Sequence, residues 1–230
     1  GSEHRHAALA DALVSGTTQL AYFDGNAWSL ASYVSAGGID AAPAGTTTDY
    51  WDWTQIYDSA ADNNIAVGAQ GNRATLVAWV AGDTVYSSIS SAPGARSVAA
   101  FDNYLLAGNV VDVDGGPFPQ RVRWSDRGSP SNWTGGLSGF EDLLAAKGAI
   151  TRLLPQESNI IVLFEDEVWH GVPAELPSVF RFAPLDTTIG CPYPWTACLT
   201  PMGVMFMGRD FQLYLLPKGG GAAQEVGQPL

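Results

Sequence analysis

The chain has 230 residues, which suits one all-β or α/β-barrel domain or at most two small ones. Its 23 acidic residues outnumber 11 basic ones, for a net charge of −12; with Lys147 and Lys218 the only lysines, this excludes a protein that lives by gripping phosphate backbones. Hydrophobic residues reach 46% while charged ones are only 15%, with 26 glycines and 14 prolines, so disorder is excluded and a turn-rich domain with an uncharged surface is expected.

In chain order, Gly1-Ser2 reads as the scar of a cleaved tag; residues 1–6 are a ragged start and 7–230 a single domain cut from a longer protein. Alternation and β-branched or aromatic content then predict paired strands. The first pair is Ala12–Gly16 with Gln19–Asp24, joined by a Thr17-Thr18 turn. The next are Asn64–Gln70 with Thr75–Val80, and Tyr104–Val111 with Gln120–Asp126. Phe140–Lys147 is the one stretch with enough helical pattern for two turns, or it is a loop. The last pairs are Asn159–Glu165 with Val168–Val172, and Val204–Gly208 with Phe211–Pro217.

These pairs carry a period. Trp79, Trp124, Trp169 and Tyr214 stand 45 residues apart, each in the second strand of its pair. Tyr22 is the matching aromatic of the first pair, 57 residues before Trp79, so an insertion of about 12 residues falls between units one and two. A repeat of this length with four strand-sized pieces predicts a β-propeller, because a lone four-stranded sheet cannot bury both faces. Five four-stranded blades account for the chain most simply; an arc of a six- to eight-bladed ring is the alternative.

One stretch resembles a known family. Residues 118–134 carry Arg121, Val122, Trp124, Ser125, Gly128, Pro130, Trp133 and Thr134 in an order similar to an element of nozzle and packaged-DNA-stabilising proteins of short-tailed bacteriophages. Ser91-Ala92-Pro93, Val98–Phe101, Ala149-Ile150-Thr151, Ile189-Gly190-Cys191 and Glu225-Val226-Gly227 fit the same resemblance, which covers 88–230 well and 7–87 loosely. It implies a non-enzymatic propeller domain of a tail component in the virion, assembled in the host cytoplasm. Its partners would be other tail or connector subunits, and itself as a ring. Passing DNA would meet it only through weak or repulsive contact with acidic surface. Family members are longer than this chain. The residues themselves give the motif a plainer reading: a strand ending at Ser125-Asp126, a turn at Gly128–Ser131, and Trp133 packing back on the sheet, with Arg121 and Arg123 on the face opposite Val122 and Trp124.

Apart from His4 and His6, the only histidine is His170, on a strand beside Trp169 and without a nucleophile's pattern. No catalytic residue, metal site or cofactor is expected, and any ligand-binding residues are unknown. A five-bladed glycoside hydrolase is the alternative, with Asp102, Asp126, Glu165, Asp166 and Glu167 as candidate acids, the last three read as a solvated hairpin tip. A lectin is the other alternative, though its polar site residues would recur from blade to blade, and here only apolar positions do. Asp112–Gly116 lacks the ligands of a calcium loop and reads as a solvated turn. Asn132-Trp133-Thr134 is a sequon in form only, and Gly219–Gly221 a flexible tail element. Cys191 and Cys198 are either a loop clasp or two buried thiols. The uncharged run between Asp186 and Arg209 is broken by Pro192, Pro194 and Pro201 and cannot be a membrane helix.

Overall fold

Alternating apolar and polar runs become strands throughout this computed structural model, which describes residues 9–14, 17–23, 27–34, 49–80, 83–112, 115–218 and 220–226. The protein is all-β, and no α-helix occurs among the described residues. Unit 1 comprises β1 (Leu9–Val14), β2 (Thr17–Phe23) and β3 (Trp28–Leu30). Unit 2 has β5 (Trp51–Asp58), β6 (Asn63–Gln70), β7 (Val77–Val80) and β8 (Val85–Ser88), with β4 (Ser32–Val34) added parallel to β8. Unit 3 has β9 (Gly94–Phe101), β10 (Tyr104–Asp112), β11 (Gly115–Trp124) and β12 (Gly139–Asp142). Unit 4 runs from β13 (Ile150–Pro155) through β14 (Ile160–Phe164) and β15 (Val168–Pro173) to β16 (Phe180–Asp186). Unit 5 contains β17 (Cys198–Thr200), β18 (Gly203–Met207), β19 (Leu213–Pro217) and β20 (Gln224–Val226).

Within each unit, strands pair antiparallel with their chain neighbours, so tight turns set the register. The β9–β10 hairpin shows how: Phe101 faces Tyr104, and both intervening residues, Asp102 and Asn103, have positive φ. Asp and Asn tolerate that left-handed conformation better than most residues and give the primed turn whose twist matches the strands.

Units 2 to 5 stack face to face, each pair around its own apolar seam. Between units 2 and 3 lie Ile65, Val67, Leu76, Leu105, Val110 and Trp133. The seam of units 3 and 4 is aromatic, with Trp124, Phe164, Trp169, Phe180 and Phe182 around Ile150 and Val162. Ile161, Leu163, Val204, Phe206 and Leu216 join units 4 and 5. The far side of unit 2 buries Val77, Trp79 and Tyr86 against Ala31 and Tyr33.

Several expectations need correction. Phe140–Lys147 makes neither helix nor simple loop: its start belongs to β12, because Phe140 and Asp142 pair opposite Arg123 and Arg121. Thr17 and Thr18 are not a turn but the start of β2, opposite Val14 and Leu13. Cys191 and Cys198 are unpaired, one buried and one exposed, so neither reading of them is right in full. The insertion between units 1 and 2 falls largely on residues 35–48, and the glycine tail partly on 219, outside the described residues.

Candidate functional site

The family-like stretch builds a corner that ends β11 and docks unit 3 on unit 2. Ser125 is buried; its hydroxyl accepts the Leu105 N–H (3.1 Å) and donates to the Asp126 carbonyl (2.9 Å). Asp126 is the hub. One carboxylate oxygen accepts from the Leu137 and Arg127 N–H groups (2.8 and 3.0 Å), the other from the Asn132 amide (3.2 Å), satisfying loop donors that strand pairing cannot reach. Trp133 folds back into the seam with its indole N–H on the Pro130 carbonyl (2.8 Å), while its own carbonyl accepts from Arg123 (2.9 Å). The Gly128 carbonyl takes the Ser59 N–H of unit 2 (2.9 Å). Gly128 has φ +68°, and a Cβ there would lie 2.5 Å from Ser59 Oγ, so the approach demands glycine.

Arg121 and Arg123 do lie opposite Val122 and Trp124, but they are buried. Arg121 binds Asp142 through two nitrogens (2.7 and 2.8 Å) and Asp112 through a third (3.1 Å), with its guanidinium over Phe118 (3.7 Å) and Phe140 (3.9 Å). Arg123 pairs with the other oxygen of Asp112. Burial lowers the Arg123 pKa. The reading of Asp112 as the start of a solvated turn is therefore wrong: it is buried as the counter-ion of two arginines, because unpaired guanidinium groups inside the seam would be prohibitively costly.

Tyr22 stands on β2, the middle strand of unit 1, opposite Leu9. The other four repeated aromatics stand on the third strand of their sheets: Trp79 opposite Ala66, Trp124 opposite Leu106, Trp169 opposite Val162 and Tyr214 opposite Phe206. Each polar tip is tied to a neighbouring loop: Trp79 to the Asp83 carbonyl (2.9 Å), Trp124 to the Leu137 carbonyl (2.9 Å), Trp169 to Glu167 (2.8 Å) and Tyr214 to Asp210 (2.6 Å). The Asp210 bond pushes the Tyr214 phenol up to about 12. Their faces differ, however. Trp169 and Tyr214 point to the preceding unit and Trp79 points away from unit 3, whereas Trp124 points forward to unit 4. A one-residue phase change flips a side chain across a sheet, so Arg123 holds the backward place in unit 3 and Trp133 fills it from the corner loop.

Sequence reasoning missed a second cluster, where the first strands converge. β5, β9 and β13 run side by side. Buried Asp52 of β5 accepts from the Ser97 hydroxyl (2.5 Å) and the Val98 N–H (3.2 Å), and Ser97 Oγ accepts the Leu153 N–H (2.9 Å). Arg152 reaches Asp52 (3.5 Å) and the Pro194 and Ala197 carbonyls leading into unit 5 (2.9 and 2.6 Å). Trp195 covers this group, with Arg152 5.6 Å from its ring centre and Tyr50 in edge contact at 5.3 Å. Four units thus meet at one point. Burial raises the Asp52 pKa against the opposing charge of Arg152. A Trp51-Asp52-Trp53 alternation, with an acid facing opposite two indoles, was the available signal.

Each candidate acid is bound to a group of its own. Asp102 pairs with Arg127 (2.7 Å), Asp126 holds the corner, Glu165 accepts the Ala149 N–H (3.3 Å) and Asp166 pairs with Arg209 (2.8 Å). Glu167 is no solvated tip: it is 3% exposed and bound to Lys147 (3.1 Å) and the Trp169 indole. His170 is half-buried on β15 opposite Ile161. No group of metal-binding side chains occurs among the described residues.

No family model and no curated protein matches the chain. Among solved structures it is similar to a Bacteroides uniformis protein provisionally assigned as a 6-phosphogluconolactonase, at 12% identity and a TM-score of 0.51, covering 100% of this chain and 69% of that one. The WD40 β-propeller domain of Doa1 aligns at 12% identity over 97% of this chain and 79% of that one, with a TM-score of 0.37. The first likeness concerns the fold alone.

Proposed function

We propose that this chain is a non-enzymatic structural protein of a virus particle, a propeller domain of a short-tailed phage tail or nozzle component that works through protein–protein contacts. The observation that carries the reading is how the family-like stretch is used. Ser125, Asp126, Asn132 and Arg123 turn their polar groups inward to brace the corner loop of unit 3, whose Gly128 carbonyl and Trp133 ring meet unit 2, as in a scaffold element. Five blades about one axis, with unit 5 closing on unit 1, is the ring we favour. In support, Met205, Met207, Leu213, Leu215 and Val226 form an apolar face on unit 5 directed away from unit 4. The Asp52–Arg152 bridge and the Tyr50–Trp195 cap fill the meeting point of the inner strands. DNA would therefore pass beside a ring of such domains, and the charge of −12 favours sliding over sticking. The domain would assemble in the host cytoplasm and reside in the virion.

The genes flanking the coding sequence test this reading: portal, terminase or tail genes are expected, and a sugar-metabolism neighbourhood would overturn it. One observation favours a second reading, a glycan-binding or sugar-hydrolysing propeller. Tyr50 and Trp195 are 51% and 42% exposed beside Arg152, a pairing of aromatic and cationic groups that suits a sugar or sugar acid. A glycan array with a lactone and glycoside hydrolysis screen separates the two, since the structural reading expects neither binding nor turnover.

A further inference from the structure

A groove of about 330 Å³ opens between units 3 and 4, on the outer side of the seam. Trp124, Val179 and Phe180 line its floor, the Gly136–Gly139 backbone one rim, and Pro177 and Ser178 the other. Glu141 stands in its wall. Pairing opposite Val122 places Glu141 on the unit 4 side of β12, away from Arg121 and Arg123. Arg121, Arg123 and Arg127 are committed elsewhere, and Glu141 has neither a hydrogen-bond donor nor an ion-pair partner among the described residues. Burial alone acts on its carboxyl, raising its pKa. β12 is also the edge strand of its sheet, so its outer backbone groups face away from β11.

We propose that this groove receives an arginine or lysine side chain from an extended segment of a partner protein. The aliphatic stem lies on Trp124, Val179 and Phe180, the cationic end meets Glu141, and the segment follows the free edge of β12. The volume sits at the bottom of the small-molecule range and suits one long side chain. Charge selects the occupant: an unpaired carboxylate beside an apolar floor, in a protein of net charge −12, favours a cation over an acidic or neutral group. The inference rests on the contact-based reading of function only in taking the occupant to be a polypeptide.

The probe is a blocked tetrapeptide with one arginine, titrated while the Trp124 indole N–H resonance, at the groove's rim on the Leu137 carbonyl, is followed by NMR. Expected is a saturable shift, weakened about fivefold in Glu141→Gln, the loss of one partly exposed charge pair. Ser178→Arg, which supplies the cation from the opposite rim, should block the peptide while leaving the thermal midpoint unchanged. An equal response from a citrulline peptide, or an undiminished one in Glu141→Gln, overturns the charge assignment. Binding of free arginine amide as tight as that of the peptide overturns the polypeptide occupant. No shift at any peptide concentration overturns the site, while leaving the structural role to be judged by its own genomic test.

Discussion

The two faces of unit 3 solve the same packing problem in opposite ways. Toward unit 4, Trp124 meets Phe180 (5.3 Å, nearly perpendicular) and Phe182 (6.5 Å), and the seam is held by apolar area and ring geometry. Toward unit 2, Arg121, Arg123 and Asp112 are buried among Val110, Phe118 and Trp133, and the corner's hydrogen bonds fix the approach. The difference teaches a division of labour. An aromatic seam tolerates small slips, whereas the buried ion network, which lies within unit 3 itself, holds β10, β11 and β12 in one register. Hydrogen bonds from the Ser59 N–H to the Gly128 carbonyl and from the Ala100 N–H to the Thr54 hydroxyl then lock the side facing unit 2, and the side facing unit 4 keeps a groove at its rim.

The largest expected effect comes from breaking the locked side. Asp112→Ala leaves two buried guanidinium groups without their shared carboxylate and should cost about 3–5 kcal/mol in denaturant unfolding. Replacing Asp112, Arg121 and Arg123 together with apolar residues of similar volume should recover most of that loss. Failure to recover would mean the network does more than satisfy its own charges. On the other face, Trp124→Ala should cost about 3–5 kcal/mol through a cavity, with a loss insensitive to salt. A strong salt dependence there would erase the contrast between the seams.

Ser97→Ala is expected to cost less, about 1–3 kcal/mol, by leaving the Leu153 N–H unsatisfied where three first strands meet. Hydrogen exchange at Leu153 should quicken relative to Val162; unchanged protection would mean water or another acceptor replaces the hydroxyl.

The smallest effects are in pH dependence, and their signs oppose. The Arg121 hydrogen bond holds the Asp142 carboxyl below the ordinary value of 3.8. Its contribution is therefore present above that value and lost as pH falls through the lower folded value. Asp52 is raised by burial, so folding favours its protonated form, and its contribution declines as pH rises from 3.8 through the folded value. Denaturant midpoints across the acidic range should show Asp142→Asn removing a loss at the acid end and Asp52→Asn removing a decline on the rising side. Two variants with the same slope would contradict the assigned environments.

The strand pairs were legible because period-two alternation is local and strong, as in Ile65, Val67 and Ala69 facing one seam while Ala66 faces the other way. The corner was legible too, since Asp126, Gly128 and Pro130 are turn residues with a known use. The side on which Trp124 lands was not: a constant 45-residue stride says which strand it occupies, but one residue of phase decides the face. Nor was the Asp52–Arg152 bridge, whose partners lie 100 residues apart and meet only because three first strands converge. Glu141 was hidden within a stretch that read as two helical turns or a loop until pairing with Arg121 and Arg123 made its start a strand.

Native mass spectrometry of this chain, co-expressed with each protein encoded beside its gene, tests the central claim most directly: that the domain acts by docking. The account predicts a discrete complex with at least one tail or connector protein, falling apart as salt rises and weakened by Glu141→Gln. The chain remaining alone in every mixture, while turning over a sugar lactone or glycoside, would contradict it.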